Sequence, residues 1–277
     1  MARCVHCRNW AGFFRKHHSA CRERYSRALV RIPSLFSQIL DDPISAARFS
    51  GLLRQAATTS FVGREELEEL SVQGLLTLVR SVMATRIVDE WEEDRIRDVA
   101  DHISADISSD ERLEADLGMA KILRELSQGK SPEIVALDGP MPVRMRRAET
   151  LIWIFNEVRL YRLADAADRL SGPPPVKASY YTLDEPSEPI PPPGVPAKRR
   201  RNVGDLILSN YNIHFVQAGG DQMRIPISRI SGLSASADAV SVGYGAHGMV
   251  RTFRLDAPGF LVNAIALLVK QLRNRGD

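Results

Sequence analysis

Beyond residue 21 the chain contains no cysteine; all three, Cys4, Cys7 and Cys21, crowd into one end of 277 residues. That placement excludes a disulfide framework and any thiolate chemistry for everything downstream. No run of about 18 uncharged apolar residues occurs, so no transmembrane helix is expected. The N-terminus, Met1-Ala2-Arg3-Cys4, becomes basic with no apolar segment behind it. A secretory signal is therefore not expected, and a cytoplasmic location follows by default. Phosphate-cradling glycine loops of P-loop or dinucleotide-binding spacing are also missing, as is a nucleophile elbow. The nearest approach to a hydrolytic triad, Ser228, Asp238 and His247, is scattered along the chain without an oxyanion signature. No enzyme and no small-molecule substrate are expected.

What is present is the balance of a globular protein, 44% hydrophobic and 26% charged residues, in a length that suits more than one domain. The net charge of +3 hides a strong asymmetry. Residues 1–31 carry Arg3, Arg8, Arg15, Lys16, Arg22, Arg24, Arg27 and Arg31 against one acid, Glu23. Residues 62–138 reverse the sign, with nineteen acids against nine bases. A second basic run, Lys198-Arg199-Arg200-Arg201, precedes the last third of the chain. Such polarity serves protein contact or self-association, nucleic-acid binding, or attraction to an anionic membrane surface.

The cysteines sit in a metal-ligand spacing. Cys4 and Cys7 form a Cys-x-x-Cys turn, and His17 with Cys21 completes three thiolates and one imidazole, a tetrahedral zinc set. His17 and Cys21 at i, i+4 would share one helical face, and His18 is the alternative to His17. His6 lies inside the turn and is the poorer ligand. Trp10, Phe13 and Phe14 are available as a miniature core. The expectation is a finger over residues 1–25 that folds with Zn2+. Its basic residues suit phosphate, but protein contact, or capping of the helices that follow, is placed first.

From Ser26 to Gln128 apolar residues recur at helical spacing, which predicts a bundle of four or five short helices within residues 26–138. Asp42-Pro43 reads as a helix start, Gly63 separates a second helix, and Ser108 or Ser109 starts the last, which stops at Gly129. The acids Glu90, Glu92, Glu93 and Asp94 point in different directions on a helix and lack a Glu-x-x-His partner, so they read as a solvated face. His102 stands alone.

After Pro132, Pro140 and Pro142 the period changes. Leu151 to Tyr161 reads as a strand or strand pair, and Val176 to Leu183 as another. Residues 184–201 hold Pro186, Pro189, Pro191, Pro192, Pro193 and Pro196, a Pro-rich insertion that cannot pair in a sheet. From Gly204 onward come short alternating runs broken by Asn210-Tyr211, Gly219-Gly220-Asp221, Asp238 and the glycines 243, 245 and 248. Past Pro258 a helical stripe of Phe260, Leu261, Ala264, Ile265, Leu268 and Leu272 closes the chain. The expected core of the strands is Phe215, Ile225, Ile227, Val240, Val242 and Phe253.

These residues carry a resemblance. Ala148-Glu149-x3-Trp153, Gly204-Asp205-Leu206-Ile207-Leu208-Ser209-Asn210 with Ile213-His214-Phe215, Ile225-Pro226-Ile227-x2-Ile230, Asp238-Ala239-Val240-x-Val242 and Phe253-x-Leu255 resemble the bacterial pleckstrin-homology-like domains. The likeness covers about residues 140–272. It departs at Ser209, where threonine is usual, at Ala239, where glycine is usual, and at the Pro-rich insertion. The upstream helices resemble tellurite-resistance-type helical modules. The resemblance implies an α+β chain, with a pleckstrin-homology-like β-barrel over residues 139–277 capped by the C-terminal helix. With no catalytic constellation in the chain, the expected function is that of a non-catalytic interaction or adaptor protein that binds protein partners through the barrel. Nucleic-acid binding by the finger is the alternative, and membrane-surface association through residues 198–201 the second.

Overall fold

The computed structural model describes residues 2–12, 15–41, 44–132, 143–162, 202–217, 220, 222–245 and 249–275. Phe13, Phe14, Asp42-Pro43, the strand expected at 176–183, the Pro-rich insertion with Lys198–Arg201, Gly219, Asp221, His247 and Gly248 lie outside them. The chain is α+β and divides into two compact units. One comprises residues 1–82 and 88–119, the other residues 83–87 and 120–277.

The first unit opens with a small hairpin, β1 (Ala2–Arg3) and β2 (Trp10–Gly12), followed by α1 (Ser19–Leu35). This helix carries Cys21 in its first turn and runs on through residue 25, so finger and helices share an element. A short 3-10 turn, Phe36–Gln38, follows. Then come α2 (Ala46–Ser60), α3 (Arg64–Thr85), α4 (Glu90–Ile103), the single turn α5 (Ala105–Ser108) and α6 (Glu111–Ser127). The starts are chemically explicit. Ser45 caps α2 by accepting from the Arg48 N–H, and Asp89 and Glu92 form a reciprocal capping box on α4. The last helix starts one step later than Ser108 or Ser109 would place it. Ser108 ends α5, and the Asp110 carboxylate accepts from the Arg112 and Leu113 N–H groups instead. Phe36 is fully buried against Gly74 of α3, where any Cβ would meet the Phe36 ring at 2.3 Å. Several acids of this unit are paired locally: Glu93 with Arg97, Asp116 with Arg80 at 2.5 Å, and Glu69 and Asp110 with Arg112.

The second unit is built on one antiparallel sheet. Its strands are β3 (Leu151–Arg162), β4 (Asn202–Ser209), β5 (Asn212–Gln217), β6 (Gln222–Pro226), β7 (Ile230–Ala235), β8 (Ala239–Tyr244) and β9 (Met249–Arg254). They lie in the order β6-β5-β4-β3-β9-β8-β7. The Leu151–Tyr161 pattern is thus a single 12-residue strand at the sheet centre. It is bulged between Phe155 and Val158, where Glu157 takes a left-handed φ of 56°, and it pairs with both β4 and β9. Gly204 is required where it stands, because a Cβ there would sit 2.1 Å from the Val216 carbonyl oxygen across the sheet.

The two edge strands are consecutive in the chain, joined only by the 3-10 turn Ile227–Arg229. Seven strands laid flat would separate the edges by about 29 Å, whereas this connection reaches at most about 14 Å. The sheet is therefore strongly curled, and among the described residues its edges do not pair with each other. Inside it lie Phe215, Ile225, Ile227, Val240, Val242 and Phe253, all buried as their alternation implied.

The final helix, α7 (Pro258–Arg275), packs against β7, β8 and the 3-10 turn. Phe260 meets Trp153 edge-on at 5.6 Å and Phe155 at 5.9 Å. One apolar stripe understates this helix. Phe260 to Val269 are buried without a break, because Val262, Ala266, Leu267 and Val269 cover its other faces. The second layer comes from the ends of α3 and α6 that belong to this unit. Asn263 donates to the Met83 carbonyl at 2.9 Å, and Gln271 to that of Leu126 at 2.6 Å. Among the described residues no helix is long and apolar enough to cross a membrane.

Candidate metal centre

Cys4, Cys7, His18 and Cys21 each bring one ligand atom into a cluster whose members all lie within 4.8 Å of one another. The elements explain the convergence. After β1 the chain turns through Cys4-Val5-His6-Cys7, closed by the Arg8 N–H donating to the Cys4 carbonyl at 3.0 Å. Arg8 takes a left-handed φ of 63°, and the turn is locked again by the Cys4 N–H donating to Asn9 O at 2.7 Å. A second strap, Val5 N–H to Lys16 O at 2.9 Å, brings the start of α1 beside the turn.

The imidazole of the cluster is His18, not His17. The i, i+4 argument for His17 needed a helix through residue 17, but α1 begins at Ser19 and His18 is its N-cap, with φ −75° and ψ 144°. From that extended position Nδ1 of His18 stands 3.4 Å from Cys7 Sγ and 3.6 Å from Cys21 Sγ. The other ring nitrogen, Nε2, donates to the Trp10 carbonyl at 2.9 Å. That bond fixes the tautomer in which the Nδ1 lone pair faces the sulfurs, as an outer partner does for a ligating histidine. His17 and His6 lie together outside the cluster, their rings 6.4 Å apart. His6 packs on Tyr25 of α1 at 4.7 Å, and Tyr25 in turn donates to Glu66 of α3.

The donor set fits a tetrahedral cation. Zinc with sulfur at about 2.3 Å and nitrogen at about 2.0–2.1 Å places its ligand atoms about 3.5–3.8 Å apart, close to the two His18 distances. The thiols also carry the electrostatic mark of a site built for positive charge. Burial pushes the Cys4 thiol up, but N–H groups of Cys7, His18 and His6 outweigh it and bring it down to about 6. Burial, then the hydrogen bond and charge of Cys7 and the charge of Cys4, push Cys21 up to about 11. Three sulfurs this close cannot all ionise unless a cation compensates them.

Trp10, expected in a miniature core with Phe13 and Phe14, is instead 57% exposed on β2. It sits directly across the hairpin from Arg3. The basic candidates Arg3, Arg8, Arg15, Lys16 and Arg22 are all exposed, as are Arg24, Arg27 and Arg31. Of these only Arg27 makes an ion pair among the described residues, with Glu23. Apart from Glu23, no acid among the described residues of the same unit forms an ion pair with them. The second basic cluster, Lys198–Arg201, lies outside the described residues.

A second polar centre, unforeseen as a unit, is buried in the sheet. Glu149, with a side chain 1% exposed, accepts from Ser209 Oγ at 2.5 Å, Asn212 Nδ2 at 2.8 Å and His214 Nε2 at 2.8 Å through Oε1. Its Oε2 accepts from the Arg146 N–H at 3.2 Å. Burial pushes this carboxyl up, yet the His214, Ser209, Asn212 and Arg146 donors overcome that and hold it at about 2. Asn210 adds a clamp, donating to Ala148 O at 3.2 Å and accepting from Thr150 N–H at 2.9 Å. The network ties the residues before β3 to the β4–β5 turn. Ser209, Asn212 and His214 all spend a donor on the one carboxylate, so it reads as architecture.

Of the scattered triad, Asp238 pairs with Arg254 at 2.6 Å, Ser228 lies in the 3-10 turn, and His247 is outside the described residues. In the acid-rich stretch Glu92 serves the α4 cap and Glu93 pairs with Arg97, while His102 pairs with Asp98 at 3.2 Å. No protein-family model and no curated protein matches the chain.

Proposed function

We propose that this is a non-catalytic interaction protein whose N-terminal finger is folded by one structural Zn2+ and displays the binding surface. The observation that carries the reading is the Cys4–Cys7–His18–Cys21 cluster. Four protein ligands close a tetrahedral zinc shell and leave no position for substrate or an activated water, which is the arrangement of a structural rather than a catalytic site. Cys4, Cys7, His18 and Cys21 would hold the ion, and it would supply the charge compensation the three thiolates lack. Around it stand exposed arginines and a lysine, of which only Arg27 has an ion-pair partner among the described residues.

The sheet unit is the scaffold in this reading, and a pleckstrin-homology-like barrel describes it best. The curled seven-stranded order, the C-terminal helix and the interlocking of the motif residues Glu149, Trp153, Ser209 and Asn210 support that description. Adaptor function through a protein partner of this domain is compatible with it. The finger, however, is where charge and geometry depart from what folding alone requires. Elemental analysis tests the reading. The native chain is expected to hold about one zinc, His18→Ala to lose most of it, and His17→Ala to keep it. Metal-free native protein, or equal loss in both variants, would overturn it.

A further inference from the structure

We infer that the finger binds single-stranded nucleic acid, with Trp10 stacking on an unpaired base and Arg3, Arg8, Arg15 and Lys16 contacting phosphates. The inference rests on the zinc-folded finger proposed above and names its partner. Three observations support it.

The first is exposure where folding would favour burial. Trp10 is a large ring on a three-residue strand, 57% exposed, while its neighbour Ala11 is only 8% exposed. The hairpin turns the small residue inward and holds the indole out. Its backbone carbonyl is anchored by His18 Nε2 at 2.9 Å, so the ring is carried on the metal-ligand frame and not on a loose loop.

The second is the position of charge around that ring. Arg3 is the cross-strand neighbour of Trp10, and Arg8 occupies the turn between the two strands. Lys16, beside Arg15, is strapped to the same turn through its carbonyl and Val5 N–H. An aromatic platform bordered by exposed guanidinium and ammonium groups is the arrangement that grips a strand whose bases are unstacked. On α1, the exposed Arg24 and Arg31 fall seven residues apart, on one face of the helix and about 10 Å along it. A duplex hides the faces of its bases, so an outward indole adds nothing to duplex binding. An acidic protein surface would use the charges but not the ring.

The third is the lack of an internal use for the charge. Glu69, Glu93, Asp110 and Asp116 of the same unit are paired with Arg112, Arg97 and Arg80. The sole acid among residues 1–31 is Glu23, and it pairs with Arg27. The excess faces solvent, where it can displace the condensed counterions of a polyanion.

Fluorescence anisotropy with the full, zinc-loaded chain tests this, using 15-nucleotide oligothymidine and oligouridine, a duplex of the same length, polyglutamate, and vesicles containing phosphatidylserine. Single strands are expected to bind, with a slope of log affinity against log salt of about −3, as four phosphate contacts require. Trp10→Ala is expected to weaken binding roughly tenfold at unchanged zinc content, and Trp10→Phe to restore most of it. Arg3→Ala with Arg8→Ala should flatten the salt slope by about 1.4. Zinc-loaded protein that ignores single strands at 50 mM salt, prefers the duplex, polyglutamate or vesicles, or is indifferent to Trp10→Ala overturns the inference and leaves the zinc reading standing. Native protein that folds and binds without zinc overturns the zinc reading instead.

Discussion

Two polar clusters organise this chain, and they differ in whether they are complete. In the sheet unit, Glu149 meets as many donors as it needs: a hydroxyl, an amide, an imidazole and a backbone N–H surround one carboxylate. In the finger, three thiols and the imidazole of His18 bring four ligand atoms within 4.8 Å of one another. The first cluster is a closed hydrogen-bond network that stabilises the fold by itself. The second is a set of metal-ligand atoms, where burial, then the hydrogen bond and charge of Cys7 and the charge of Cys4, push the Cys21 thiol up. Metal-ligand atoms gathered at one point serve a ligand. Donors gathered round one carboxylate serve the architecture.

The sharpest break of that comparison is removal of the cation. Structural zinc in small fingers is bound with on the order of 10 kcal/mol, and that binding energy is folding energy. Cys4→Ala with Cys7→Ala, or a strong chelator, should therefore unfold residues 2–18 while the sheet unit persists. Hydrogen exchange read separately over the finger and over β4–β5 checks this. Protection lost in both regions together would mean that the finger is not the separately stabilised element the cluster implies.

Next in size is Glu149→Ala. It leaves Asn212 Nδ2 and His214 Nε2 without their acceptor in a buried place, and Ser209 Oγ with only the Asn212 carbonyl, at a cost of about 3 kcal/mol. A lowered urea midpoint with unchanged zinc content is the expected result. An unchanged midpoint would remove the network from the account of the fold.

Why one cluster was legible in the sequence and the other only in outline follows from the same contrast. Cys-x-x-Cys and a following His and Cys are local, so spacing alone brings them together. What spacing could not decide was His17 against His18, because that depends on whether α1 starts before or after residue 18. A ligand at the N-cap, three residues before Cys21, serves as well as one at i, i+4. Glu149 and His214 are 65 residues apart and meet only through strand register. The motif resemblance put Glu149, Ser209 and His214 on the page without saying that they touch. Strand existence was read from alternation, and the buried set Phe215, Val240, Val242 and Phe253 followed from it. The all-round burial of α7 was not, because a stripe search discards apolar residues that fall off the stripe. Trp10 differs from a core residue for a related reason: the hairpin register, which spacing does not carry, turns Ala11 inward and leaves Trp10 exposed.

The smallest effect separates the two centres by pH. Glu149 is held at about 2 in the fold against about 4.3 for an unperturbed glutamate. Its folded value is depressed, so its contribution is fully present above about 4.3 and is lost as pH falls toward 2. Between pH 5 and pH 3 the loss should be about 2 kcal/mol. Protonating the carboxylate withdraws the acceptor from three side-chain donors at once, whereas Glu149→Gln keeps the volume and removes the titration. The measurement is urea unfolding followed through Trp153, in a background of Trp10→Phe and Trp91→Phe. Stability should fall steeply with acid in the chain that keeps Glu149, and Glu149→Gln should flatten that fall. Asp238→Asn, at the half-exposed pair with Arg254, should leave the fall nearly as steep. Release of zinc from the finger over the same range would leave the Trp153 signal unmoved, because that ring packs on Phe260 within the sheet unit. Parallel acid curves for the wild-type and Glu149→Gln chains would place the acid sensitivity elsewhere and return the Glu149 network to simple packing.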